Sequence, residues 1–208
     1  MPELPDVEVF RRYLESTSLR QEIERVKVPG SEMLEGVSAS RLKKSLQGSR
    51  FGDTRRHGKT LFGGLVNGLW LVLHFGMTGF LSYFKNRERR PSHPRLLIGF
   101  TNGYTLSYDC QRKLGKIALT EDPDSYVRKQ ELGPDPLQEG FGPEAFKEAL
   151  RGSRATVKSA LMDQGRMAGI GNIYSDEILF QAGVRPDLKV NDLSDKDMET
   201  LYREMTRT

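Results

Sequence analysis

Two stretches decide the fold: LFGGLVNGLWLVLHF at residues 61–75 and RLLIGFTNGYTLSY at residues 95–108. Each sets an Asn-Gly pair, Asn67-Gly68 or Asn102-Gly103, between apolar runs. Asn-Gly supplies the positive φ angles of a type I′ turn, so each stretch reads as a β-hairpin. LGKIALT (residues 114–120) adds a strand, and residues 23–28 alternate as another. Ahead of them Pro5 and Asp6 open a helical pattern with Val7, Phe10 and Leu14 on one face. The N-terminal half therefore reads as an antiparallel β-sandwich or barrel with a leading helix.

Toward the C-terminus the pattern changes. Leu132-Gly133-Pro134-Asp135-Pro136 is stiff and turn-rich, which marks a boundary. Helices dominate beyond it. Pro143 opens PEAFKEAL, Ser153 lies just before ATVKSALMDQ, and Asn172 begins NIYSDEILFQAG. Ser194 is the expected N-cap of KDMETLYREMT, with Asp197 near the first turn. The expected division is a sandwich domain over residues 1–131, a linker over 132–142 and an all-α domain over 143–208. The fold class is α+β. The chain stops at Thr208 within or just at the end of a helix, which is the ending expected of a piece of a longer protein.

At 37% hydrophobic and 29% charged residues, the composition is that of an ordinary globular protein. One cysteine, Cys110, excludes an internal disulfide and a multi-cysteine zinc site within this chain, and fits a reducing compartment. The N-terminus carries carboxylates where a signal peptide needs a basic segment, and no stretch approaches 18 apolar residues. A cytoplasmic, nucleoid-associated protein without membrane contact is expected. The net charge is +4, and residues 1–142 hold 22 Lys/Arg against 17 Asp/Glu. The basic residues gather at 41–44, 50–59 and 85–95, a distribution that points to a phosphate-binding surface.

The start MPELP has its own chemistry. Removal of Met1, usual before a small residue, leaves Pro2 as a terminal secondary amine. Its pKa lies in the α-amino range, roughly 7.7–8.0, so a neutral fraction exists at physiological pH. Such an amine can attack a sugar C1′ and give an iminium ion, an electron sink for elimination at the neighbouring phosphates. Glu3 adjoins it as a proton donor and acceptor.

Five ordered motifs carry a resemblance. MPELPDVE, RRHGK ending at Lys59, HFGMTG at residues 74–79, LGPDPL at 132–137, and LMDQ followed by GIGNIYSDE at 169–177 resemble the formamidopyrimidine-DNA glycosylase and endonuclease VIII family. The resemblance spans essentially the whole chain and is closest to formamidopyrimidine-DNA glycosylase. It implies a helix–two-turns–helix DNA-binding domain after the sandwich, with DNA in a basic cleft. It further implies a monomer acting on duplex DNA that contains oxidised or abasic sites.

By this resemblance Pro2 is the Schiff-base nucleophile, Glu3 the acid/base, and Lys59 a catalytic lysine touching the phosphate beside the lesion. Met77 is the wedge that fills the gap left by a flipped nucleotide. His74, Arg112, Lys158, Asn172 and Tyr174 are implied in DNA binding. Gly169 and Gly171 permit tight turns, and Asn172 heads a helix whose free N–H groups suit a phosphate, with N-capping as its plainer role. The implied activity is removal of 8-oxoguanine and formamidopyrimidines with β,δ-elimination. The alternatives are an oxidised-pyrimidine-preferring enzyme and a catalytically silent reader of damaged DNA. A ribosome-associated, RNA-binding use of the helical motif is disfavoured by the intact N-terminal signature.

Two departures stand out. The family's DPRRFG-like loop is here Asp109-Cys110-Gln111-Arg112-Lys113-Leu114-Gly115, one residue longer and without the aromatic wedge. Asp6 stands where many members carry Glu. No cofactor is expected within this chain: the resemblance implies a C-terminal zinc finger or a zincless imitation of one, and neither is present in residues 1–208.

Overall fold

The computed structural model describes residues 1–85 and 91–208. The chain forms two compact units, Met1–Tyr126 and Val127–Thr208.

The first unit opens with helix α1, Leu4–Ser18. Pro5 sits in its first turn, where the missing N–H is no loss. Asp6 accepts the backbone N–H of Glu3 at 2.8 Å and so closes a capping box. The helix buries Leu4, Val7 and Leu14. Next come β1 (Ile23–Lys27), α2 (Ala39–Leu46), β2 (Phe51–His57), β3 (Thr60–Leu65), β4 (Trp70–His74), β5 (Gly79–Phe84), β6 (Pro94–Phe100), β7 (Thr105–Cys110) and β8 (Lys116–Thr120). They make two four-stranded antiparallel sheets, ordered β1-β6-β7-β5 and β2-β3-β4-β8. Leu61, Leu71, Leu73 and Ile117 of one sheet share a core with Ile98, Leu106 and Tyr108 of the other. The unit is therefore a sandwich, as the hairpin pattern predicts.

The hairpin turns differ from expectation. Type I′ needs positive φ at both central residues. Among the described residues Gly68 (+86°) and Gly103 (+84°) have it, whereas Asn67 and Asn102 do not. Gly68 N–H donates to Leu65 and Gly103 N–H to Phe100, so each loop is a type I turn followed by a left-handed glycine bulge. The asparagines serve through their side chains: Asn67 Oδ1 accepts from Leu69 N at 3.2 Å and Asn102 Oδ1 from Tyr104 N at 3.0 Å.

Helix α3 (Pro123–Lys129) spans the division between the units, after Tyr126. The second unit continues with α4 (Pro143–Leu150), α5 (Val157–Met162), α6 (Asn172–Ala182) and α7 (Asp195–Arg207). Phe146, Leu161, Ile178 and Leu201 meet in its core. Ser194 is the N-cap of α7, as expected, and forms a capping box with Asp197. The segment read as a linker, residues 132–142, lies within Val127–Thr208 and is hydrogen-bonded to the rest of that unit. Gly133 N–H donates to Gln164 O at 2.8 Å, and Pro134 O accepts from Ala168 N at 2.9 Å. Among the described residues no helix is long and apolar enough to cross a membrane.

Candidate functional site

Sheet register gathers the residues of the first unit. Lys59 lies in the two-residue turn between β2 and β3, where Gly58 takes positive φ (+53°), as a type II′ turn requires of its first residue. The next residue, Thr60, pairs with His74, and His74 pairs with Lys116. Lys59, His74 and Lys116 therefore stand at one end of one sheet.

Two crossings between the sheets occupy the same end. Residues 75–78 lead from β4 to β5, and residues 111–115 lead from β7 to β8. Because β4 pairs with β8 and β5 with β7, the crossings must lie side by side. They are tied: Arg112 N–H donates to Thr78 Oγ1 at 3.0 Å. Gly76 (φ +58°) sits so close that a Cβ there would lie 2.5 Å from the Leu114 carbonyl carbon. Only glycine satisfies both demands. At the tips, Met77 is 40% and Leu114 52% exposed, so neither is core packing. Arg112 is exposed beside them.

The start of α1 supplies the third component. Glu3 is fully buried at the N-cap, next to half-buried Pro2. Met1 precedes Pro2 and is 43% exposed; the proline nitrogen is an amide until that residue is removed. Burial pushes the Lys59 ammonium below the usual lysine value, and the Glu3 carboxylate opposes that shift. A buried carboxylate and a partly desolvated amine thus act on each other beside the N-terminus. His74 is held below the ordinary histidine value by burial first, then by Lys116 and Lys59, with Glu35 opposing. Its Nδ1 accepts Gly76 N–H at 3.3 Å, and its carbonyl accepts the Tyr108 hydroxyl at 2.8 Å. His74 thereby shapes the Met77 turn, and its surroundings disfavour the charged imidazolium.

In the second unit Lys158 of α5 pairs with Asp176 of α6 at 2.6 Å, and Asn172 Nδ2 lies 3.5 Å from the other carboxylate oxygen. Those two predicted residues are thus brought together at the start of α6, with half-buried Tyr174 packed on the core. Asn172 is not the N-cap. Gly171 holds that position, and Asn172 is the first helical residue with its side chain outward and exposed.

Two residues carry more than the sequence reading gave them. Leu114 presents an exposed apolar side chain in the crossing that lacks an aromatic; an apolar residue inside a polar loop is its signal. Gln164 fastens the two-turn segment, donating to Met162 O and Ile170 O at 2.7 Å each and accepting from Gly169 N at 3.0 Å. The charge runs divide: Arg41, Lys43, Lys44, Arg50 and Arg55 are exposed, whereas other members are engaged within the fold. Residues 41–44 lie on α2 with Leu42 buried. Arg56 is 7% exposed and bonded to Glu8, Arg55 lies over the Trp70 ring at 5.2 Å, and Arg95 donates to Cys110 O at 2.9 Å. Residues 86–90 of the third run lie outside the described residues. Among the described residues no three His, Cys, Asp or Glu side chains gather to hold a metal ion.

Comparison with known proteins bears on this arrangement. Residues 1–117 match the family model "Formamidopyrimidine-DNA glycosylase N-terminal domain", and residues 132–208 match "Formamidopyrimidine-DNA glycosylase H2TH domain". The chain is 37% identical over 204 residues to the formamidopyrimidine-DNA glycosylase of Geobacter metallireducens, covering 98% of this chain and 76% of the relative. It is 34% identical over 204 residues to that of Desulfitobacterium hafniense, covering 97% and 74%. The Lactococcus lactis glycosylase in complex with DNA containing an abasic site superposes with a TM-score of 0.91 at 31% identity, covering 99% of this chain and 76% of that one. The chain thus spans about three quarters of the length of these relatives.

Proposed function

The chain belongs to the formamidopyrimidine-DNA glycosylase family, and from that premise we propose that it excises oxidised purines from duplex DNA and then cleaves the strand. The observation that carries the reading is the fully buried Glu3 carboxylate, adjoining Pro2 and acting on the desolvated Lys59 amine. Once Met1 is removed, the Pro2 nitrogen attacks C1′ of the lesion nucleotide and the damaged base leaves with a proton. Glu3 protonates the ring oxygen, so the deoxyribose opens to an iminium ion. Loss of a C2′ proton expels the 3′ phosphate, and a second elimination expels the 5′ phosphate. Hydrolysis of the iminium returns the free amine.

Lys59 is read as the cation that holds the phosphate beside the lesion. Met77 and Leu114, the exposed apolar tips of tied turns, suit the gap that an extruded nucleotide leaves in the stack, and Arg112 stands beside them for the orphaned base. Lys158, Asn172 and the first N–H groups of α6 suit a second backbone phosphate. The lesions read as substrates are 8-oxoguanine and formamidopyrimidines.

Borohydride trapping on a duplex with a single 8-oxoguanine tests the mechanism. The full-length protein is expected to form a covalent adduct whose DNA-linked peptide begins at Pro2. Tight binding of the lesion duplex without any adduct overturns it in favour of a silent reader.

A further inference from the structure

Lys116 has no part in the chemistry above, yet it occupies the same end of the sandwich. It pairs across the β4–β8 ladder with His74, whose other neighbour is Thr60, next to Lys59. Its ammonium lies 2.9 Å from Glu35 Oε1, with the two side chains 48% and 39% exposed. Glu35 is well anchored: its N–H donates to Ile117 O at 2.9 Å, and its other carboxylate oxygen is 3.5 Å from the Tyr126 hydroxyl. Burial, then the charge of Glu35, pushes that hydroxyl up to about 12, so it stays protonated and a donor. The carboxylate is thus held in place, whereas the lysine has a long flexible stem and half of its surface in water.

An ion pair this exposed is weak. Duplex DNA presents a dense line of phosphates, and a lysine that transfers to one releases a condensed counterion. We propose that Lys116 is a further backbone-phosphate contact of the sandwich unit and that Glu35 competes with DNA for its ammonium. The inference rests on the DNA-processing reading of the preceding subsection. It assigns Glu35 a restraining role: the carboxylate occupies the lysine when no phosphate is near, which weakens non-selective binding.

The test is the salt dependence of binding to a duplex carrying a tetrahydrofuran abasic analogue, read by fluorescence anisotropy with the full chain. Lys116→Met is expected to make the slope of log K against log salt shallower by about 0.9, the value of one phosphate contact, and Lys116→Arg to restore it. Glu35→Gln is expected to tighten binding severalfold at low salt, and that gain is expected to vanish in the Glu35→Gln/Lys116→Met double variant. An unchanged slope in Lys116→Met overturns the proposal. So does a Glu35→Gln gain that persists undiminished without Lys116, because it then reflects net charge alone. Wild-type protein that binds no duplex removes this inference together with the functional reading; intact binding and borohydride trapping with an unchanged slope removes this inference only.

Discussion

Arg56 Nε donates to Glu8 Oε2 at 3.3 Å, joining the last part of β2 to the first half of α1 across 48 residues. The same carboxylate receives Arg11 and Arg12 at 2.9 Å each. Through this cluster the strand that leads into the Lys59 turn is fastened to the helix that Glu3 caps.

The cluster predicts an acid limb in stability. Hydrogen bonds from Arg11, then from Arg12 and Arg56, lower the Glu8 carboxyl from 4.5 to about 2, against the opposing effect of burial. A depressed carboxyl stabilises the fold above its unfolded value and loses that contribution as pH falls from about 4.5 toward 2. Glu8→Gln is expected to lower stability by about 1–2 kcal/mol at neutral pH, discounted for partial solvent screening. It should also flatten the stability profile between those pH values. Urea unfolding across pH reads both effects, and an unaltered acid slope contradicts the assignment.

Among the described residues, Glu3 favours the charged form of Lys59 against burial. Glu3→Gln is expected to lower the Lys59 pKa further, visible in the pH titration of its reductively methylated amine by NMR. In single-turnover assays on abasic duplex, the same variant should be slowed by on the order of 10²-fold or more, as loss of an acid/base group implies. A Lys59 titration that does not move would break the link between the two residues.

His74 is depressed below 6.5 by burial, Lys116 and Lys59. The unfolded chain therefore binds more protons than the folded one just below pH 6.5, and stability falls as pH drops from there toward the folded value. Lys116→Met removes one of the positive neighbours and is expected to raise the His74 titration midpoint in NMR. A downward shift or none would mean that the two side chains do not sense each other.

The paired turns should act together. Met77→Ala and Leu114→Ala are each expected to reduce lesion excision roughly tenfold, since flipping costs a few kcal/mol that apolar side chains help to offset. The double variant should fall short of the product of the singles, because the two tips serve one gap. Thr78→Val, which removes the acceptor for Arg112 N–H, should cost about 1 kcal/mol of stability. Full multiplicativity in single-turnover rates would show that Met77 and Leu114 work apart.

Gln164 offers a control in the other unit. Gln164→Leu removes three part-buried hydrogen bonds from the two-turn segment, an expected loss of about 2–3 kcal/mol. Hydrogen exchange should show the loss at residues 163–171, with the sandwich strands unaffected. Equal deprotection of both units would contradict a local role.

Much was legible in the residues alone. Apolar runs around Asn67-Gly68 and Asn102-Gly103 fixed two hairpins, because alternation and turn chemistry are local properties. Ser194 with Asp197 marked a helix start for the same reason. The order MPELP, RRHGK and GIGNIYSDE marked the family, since a rare conjunction of short motifs does not depend on knowing the fold.

The tertiary structure alone decided which residues meet. A list of Lys and Arg does not say that Arg56 is spent on Glu8, that Arg95 turns inward to a carbonyl, or that Lys116 stands two paired residues from the Lys59 turn. Nor does it say that an exposed Leu114 lies against Gly76, or that Gly171 rather than Asn172 caps α6. Partners such as Thr78 and Arg112 lie 34 residues apart in sequence. They are joined by strand pairing that brings both crossings to one end of the sandwich. The chain's local chemistry determined its elements, and long-range register determined its site.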